Sequence, residues 1–182
     1  MKGFLLGVIV TLLCIAIGTY IYFGTGMAPV ATSAQAMPFE KKFANMALHA
    51  RQEKEAPKSA PFQPTEANYV QGANLYMQHC AVCHGVPNQE QTAIGKGEFP
   101  KPPHLFKGKG VTDDPPGESY WKIANGIRLT GMPGFKSSLT DEQIWNLAFF
   151  VAGADKLPPA AMTALTSVPQ QQVPQELPSP RQ

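Results

Sequence analysis

Cys80-Ala81-Val82-Cys83-His84 sets two thiols three residues apart, with an imidazole directly after the second. Thiols at that spacing can add to the two vinyl groups of a haem while the next residue swings beneath the iron. The segment therefore predicts one covalent haem c, attached through Cys80 and Cys83, with His84 as an iron ligand. Two other chemistries use the same residue types. A structural zinc site needs four ligands, and only His49, His79 and His104 remain to complete one. A dithiol redox pair wants a strand-to-helix setting in a βαβ unit, whereas a helical pattern precedes these cysteines. Neither accounts for His84.

An iron held by His84 alone is five-coordinate and open to small molecules; a second strong ligand closes it and favours electron transfer. Met132 is the expected second ligand. Its neighbours Gly131, Pro133 and Gly134 make a loop that can bring a thioether close without a helix in the way. Met46 and Met77 have helical neighbours and read as packing residues, Met162 lies in the tail, and His79 and His104 read as surface or supporting residues.

Helices must position these groups. Glu66 to His79 carries Tyr69, Ala73, Leu75 and Tyr76 largely on one face and runs into the cysteine segment. Leu139 to Ala152 has Thr140 as its cap, Asp141 and Glu142 in its first turn, and Gln143 completing a capping box. Its residues Ile144, Trp145, Ala148, Phe149 and Ala152 follow helical spacing. A shorter helix is expected from Glu118 to Asn125, ending at Gly126. Between them lie Gly and Pro and no alternating strand pattern, so the fold class is all-α, a small domain with long loops that needs a large apolar ligand at its centre.

The 18 prolines cluster around 57 to 64, 100 to 116 and 158 to 180, marking one core flanked by extensions. From Gly3 to Phe23 no residue is charged, a run roughly 30 Å long as a helix, which matches a bilayer core. Lys2 precedes it and Tyr20, Tyr22 and Phe23 close it, so the amino terminus is expected on the cytoplasmic side. A cleaved signal peptide is the alternative, since Ala34-Gln35-Ala36 has the form of a cleavage site. Four parts are expected: a transmembrane anchor at 1–24, a tether at 25–64, a haem domain at 65–157 and a Pro/Gln-rich tail at 158–182 that is disordered or extended. Within the tether, Phe39, Phe43, Met46, Ala47 and Ala50 recur at helical spacing and predict a short amphipathic helix suited to lipid headgroups or a partner subunit.

The net charge of +2 gives no ground for a nucleic-acid partner. Lys96, Lys101, Lys107 and Lys109 outnumber Glu98 in the loop after the haem motif, a local basic patch suited to an acidic redox partner.

The succession of Gly72 and Tyr76, Cys80 to His84, Pro103-His104-Leu105, Asn125-Gly126, Gly131 to Phe135, and Trp145 with Phe149 resembles the class I monohaem cytochromes c over about residues 65 to 157. The resemblance implies that the first and last helices of the domain cross through Gly72, Tyr76, Trp145 and Phe149. It implies that the Pro103 carbonyl accepts the ring N–H of His84 and that Leu105 packs on the haem face. Pro102 stands where that family often has glycine. Tyr120, Trp121 and Arg128 are candidates to reach the haem propionates. The expected function is one-electron transfer, not catalysis. The chain is expected in the inner membrane with its haem domain on the periplasmic side, as a carrier or subunit passing electrons between a quinol-oxidising complex or dehydrogenase and a terminal oxidase. A haem enzyme or gas sensor with an open sixth position, and an assembly subunit, are the alternatives.

Overall fold

The computed structural model describes residues 1–107 and 114–167. The described residues contain helices and no strand, in keeping with the all-α class: α1 (Lys2–Gly24), α2 (Glu40–Glu55), α3 (Glu66–His79), α4 (Ala81–His84), α5 (Ala93–Gly97), α6 (Pro116–Asn125), α7 (Asp141–Ala152) and α8 (Pro159–Ser167). Met1–Lys41 and Lys42–Gln182 are two separate compact units.

In the first unit, α1 carries no buried residue and presents Leu5, Ile9, Leu13 and Ile17 openly. A helix of 23 residues with that composition is long and apolar enough to cross a membrane, which makes it a candidate anchor.

The second unit is built on the packing of α3 against α7, with α6 and α8 as further layers. Both crossing helices are fixed at their starts by reciprocal caps. Thr65 N–H donates to Asn68 Oδ1 at 2.8 Å. At α7, Thr140 N–H donates to Gln143 Oε1 at 2.9 Å and Gln143 N–H donates to Thr140 Oγ1 at 3.3 Å, as the capping box predicts. Gly72 lies at the crossing: a Cβ there would stand 2.6 Å from Phe150 Cβ and closer still to the Asn146 carbonyl. Only a bare backbone lets the axes approach so far. Around this point Tyr76, Ile144, Leu147 and Phe150 are fully buried. The buried Asn146 side chain is satisfied on both ends, accepting from Asn68 Nδ2 at 3.0 Å and donating to Gln71 Oε1 at 2.8 Å.

Two stretches expected to be extended are structured. Residues 42–64 belong to the same unit as the haem-motif region. The amphipathic helix forms as α2, but its polar side docks on its own domain. Gln52, 2% exposed, donates to Glu118 at 2.5 Å, Trp121 Nε1–H donates to Glu55 at 3.2 Å, and the Pro57 carbonyl sits against Gly117. Phe62 then packs edge-on against Phe149 with ring centroids 5.4 Å apart. The start of the tail also folds. Ala161, Ala164 and Leu165, at helical spacing, bury the inner face of α8 against α3. Nothing in its sequence from Pro159 to Ser167 is glutamine, and the helix forms where the Gln-rich composition has not begun. The rest of the expected tail, 168–182, lies outside the described residues.

Candidate functional site

The cysteine segment follows α3 without a loop. Cys80 ends α3 and begins the single turn of α4, whose last residue is His84. Gly85, at φ 78°, then turns the chain away. Tyr76, one turn before Cys80, donates its hydroxyl to the Gly85 carbonyl at 2.6 Å and so pins both ends of the motif. Burial holds the Tyr76 phenol far above its ordinary range.

A collar of residues following the motif grips its backbone. Gln91 Nε2 donates to the carbonyls of Cys83 and Pro102, each at 2.9 Å, and Thr92 donates to the Val82 carbonyl at 2.5 Å. Gly95 lies against the Cys83 carbonyl with no room for a side chain. The chain then returns through Pro102 and Pro103, and His84 Nδ1 stands 2.8 Å from the Pro103 carbonyl oxygen. A carbonyl can only accept, so the proton of that bond is on Nδ1. The other ring nitrogen, Nε2, keeps its lone pair as a ligand atom. Burial also pulls the His84 imidazole below its usual range, favouring the neutral, ligating form.

Met132 arrives from a different part of the chain. α6 ends at Gly126, φ 69°, where a Cβ would strike the backbone of Pro133 and Gly134, so the loop folds back onto the helix end. Thr130 donates to the Ile127 carbonyl at 2.7 Å and accepts the Met132 N–H at 3.1 Å, while Ile127 N–H donates to the Met132 carbonyl at 3.2 Å. Phe135 and Lys136 donate to the carbonyls of Ile123 and Ala124 at 2.9 and 3.1 Å. The methionine loop is thus tied at both ends to α6.

One cleft collects these groups: Cys80, Cys83, His84, Pro103 and Met132 all line it, among Ile123, Ile127 and Phe135. Both thiols are free. Burial holds them protonated, Cys80 pushed up to about 12 and Cys83 to about 11. Two free thiols, a neutral imidazole and a thioether on apolar walls fit a covalently attached haem: two attachment points, a nitrogen and a sulfur ligand, and a dry surface for the macrocycle. Among the described residues, no group of three or more His, Cys, Asp or Glu is placed to hold a metal ion.

Other expected residues fall elsewhere. Leu105 does not line the cleft; it is half-buried against the core, its N–H donating to the His84 carbonyl at 3.3 Å. Tyr120 donates to Asp141 at 2.9 Å and stacks on Trp145 at 4.5 Å, and Trp121 turns to Glu55, so both are engaged away from the cleft. Arg128 is exposed. Of the four lysines, Lys96 is exposed, Lys101 is exposed but lines the cleft, Lys107 pairs with Glu90 at 2.6 Å, and Lys109 lies outside the described residues. Sequence reasoning missed Glu98, read only as a lone acid among lysines. It lines the cleft, and Oε1 accepts the Cys83 thiol at 3.0 Å.

Residues 67–151 match the family model described as cytochrome c oxidase, cbb3-type, subunit III. No curated protein matches the chain.

Proposed function

Residues 67–151 are a c-type monohaem cytochrome domain, which takes a covalently bound haem c and transfers electrons; from that premise we propose that the whole chain is a membrane-anchored electron carrier or oxidoreductase subunit. Its haem is attached through Cys80 and Cys83, with the iron held between His84 and Met132. The observation that carries this is the cleft itself, which collects both thiols, the Pro103-oriented imidazole and the thioether from segments about fifty residues apart in sequence.

Bound there, haem c supplies a one-electron ferric/ferrous couple. The remaining work belongs to the chain. Pro103 fixes the ring of His84 and its tautomer, so that Nε2 is always the ligand atom. The ties from Thr130, Ile127 and α6 hold the Met132 loop, so the same two ligands serve both oxidation states and little atomic rearrangement accompanies the electron. The mainly apolar walls and the thioether together favour the reduced state.

In this reading α1 is retained as a single inner-membrane span with Lys2 on the cytoplasmic side, and the haem domain works in the periplasm. Its partners are redox proteins: a quinol-oxidising complex or dehydrogenase as donor and a terminal oxidase as acceptor. The matched family's description, an oxidase subunit, supports a place beside such an oxidase. The exposed Lys96 and Lys101 favour an acidic docking surface on the partner.

The test is the optical spectrum of the haem-loaded full chain, oxidised and reduced, beside Met132→Ala. A sulfur-to-iron charge-transfer band in the oxidised wild type, absent from the variant, with carbon monoxide bound by the reduced variant only, is the expected result. Carbon monoxide binding by the reduced wild type, with no such band, would instead assign an open sixth position and a sensor or enzyme.

A further inference from the structure

Glu98 is the one acidic side chain in the wall of the cleft. Its position is set by the same collar that grips the cysteine motif: Glu98 is the residue that ends α5, and α5 is held to Val82 and Cys83 through Thr92, Gln91 and Gly95. From there the carboxylate touches both sides of the cleft mouth. Oε1 accepts from the Cys83 thiol at 3.0 Å, a bond that ends when thioether formation takes the thiol hydrogen. The same head group packs on the neighbour of Met132: a Cβ on Gly131 would stand 2.6 Å from Glu98 Cδ and 2.9 Å from Oε1. Gly131 leaves the space that the carboxylate fills, and this second contact does not depend on the thiol. Among the described ion pairs none involves Glu98; the one lysine that shares the cleft wall, Lys101, is exposed and not paired with it.

We propose that Glu98 lowers the redox potential of the site: seated between Cys83 and Gly131, its carboxylate would stand beside one of the two attachment cysteines of the haem and favour oxidised iron. This rests on the haem reading above. Oxidised iron carries one more positive charge than reduced iron, and a fixed negative charge nearby stabilises the more positive state. The half-buried position reduces the screening that would cancel the effect for a fully solvated acid. Glu98 thereby opposes the thioether and the apolar walls, which favour the reduced state.

The experiment is a mediator-equilibrated titration of the haem-loaded full chain, in which a chemical reductant gives one electron to ferric iron and the midpoint is read optically. Glu98→Gln, nearly isosteric, is expected to shift the midpoint upward with the sulfur-to-iron band intact. Glu98→Ala should move it the same way, Glu98→Lys further, and Glu98→Asp should stay nearest the wild type. Midpoints of the Gln, Ala and Lys variants equal to the wild type would overturn the proposal. So would loss of the sulfur-to-iron band in both neutral variants, which would make Glu98 a support of the Met132 loop instead. A wild type that takes up no covalent haem would overturn the parent reading; haem-loaded wild type with unshifted variants would overturn only the role of Glu98.

Discussion

Alanine at position 72 would push a methyl group into the crossing of α3 and α7. The Cβ would stand 2.6 Å from Phe150 Cβ, against the ~3.5–4.0 Å at which carbon atoms rest, so the helices must separate locally by about 1 Å. A flexible side-chain tip could yield, but the closest obstacle is the backbone carbonyl of Asn146. Relief therefore has to come from the helix axes, disturbing Ile144, Leu147 and Phe150, which are fully buried. Overpacking of this kind costs up to about 3 kcal/mol. Alanine returns roughly 1 kcal/mol through its better helix propensity. The net loss is then up to about 2 kcal/mol, and at ~4–8 °C per kcal/mol for a domain of ~100 residues, Tm should fall by as much as roughly 8–16 °C. The assay is thermal melting of the haem-loaded chain followed by far-ultraviolet circular dichroism. Gly97→Ala is the control, because a Cβ there meets nothing within 4 Å. Equal melting temperatures for Gly72→Ala and wild type would refute the close-crossing argument.

Thr140→Ala removes the hydroxyl that accepts the Gln143 N–H, and should lower stability by ~0.5–2 kcal/mol in denaturant titrations. Phe62→Ala tests whether residues 42–64 belong to the folded domain: loss of its packing on Phe149 should destabilise by about 2 kcal/mol, whereas a free tether would give no change in the midpoint. Burial raises the Tyr76 phenol far above the ordinary value of 10.0. Above that value the unfolded chain gives up the phenolic proton while the folded chain keeps it. Stability is therefore constant from this source below pH 10.0 and falls by up to ~1.4 kcal/mol per unit above it. Tyr76→Phe, which loses the bond to Gly85, should start less stable by ~1 kcal/mol and lose that alkaline slope. An identical slope in both proteins, measured by denaturant titration from about pH 9 to 11.5, would refute the assignment.

The parts legible in the sequence are those whose partners lie a few residues away. Thr140 and Gln143 announce a capping box because each serves the other within one turn, and Cys80, Cys83 and His84 suggest haem attachment because the chemistry proposed for them needs only their local spacing. Position 103 is different: nothing local marks its carbonyl as an acceptor, and only the family resemblance pointed to it, yet the bond forms at 2.8 Å. Leu105, carried over on the same resemblance, packs half-buried against the core, and its N–H donates to the His84 carbonyl at 3.3 Å. Where composition stood in for contact, the reading failed in a consistent direction. Pro-rich flanks suggested extended chain, but Gln52, Ala56 and Phe62 on one side and Ala161, Ala164 and Leu165 on the other find cover on the domain.

Glu98 was hidden for the same reason. In sequence it is one acid beside Lys96 and Lys101, and its charge invites a reading as part of a solvated patch. Its surroundings are decided by two remote facts: the collar that fixes the end of α5 on the back of the cysteine motif, and the missing side chain at Gly131, over thirty residues later. A glycine before the methionine is easily explained as loop freedom. The structure gives it a second cause, because any Cβ there would evict the carboxylate. Gly131→Ala thus acts on the same contact as Glu98→Ala from the opposite side. If the carboxylate is driven out toward water, its field at the cleft is screened, and the midpoint should rise in both variants. The double variant should then rise no further than the larger single effect, since neighbours acting through one contact are not additive. Fully additive midpoint shifts would separate the two residues and leave loop freedom as the sole cause of the glycine at position 131.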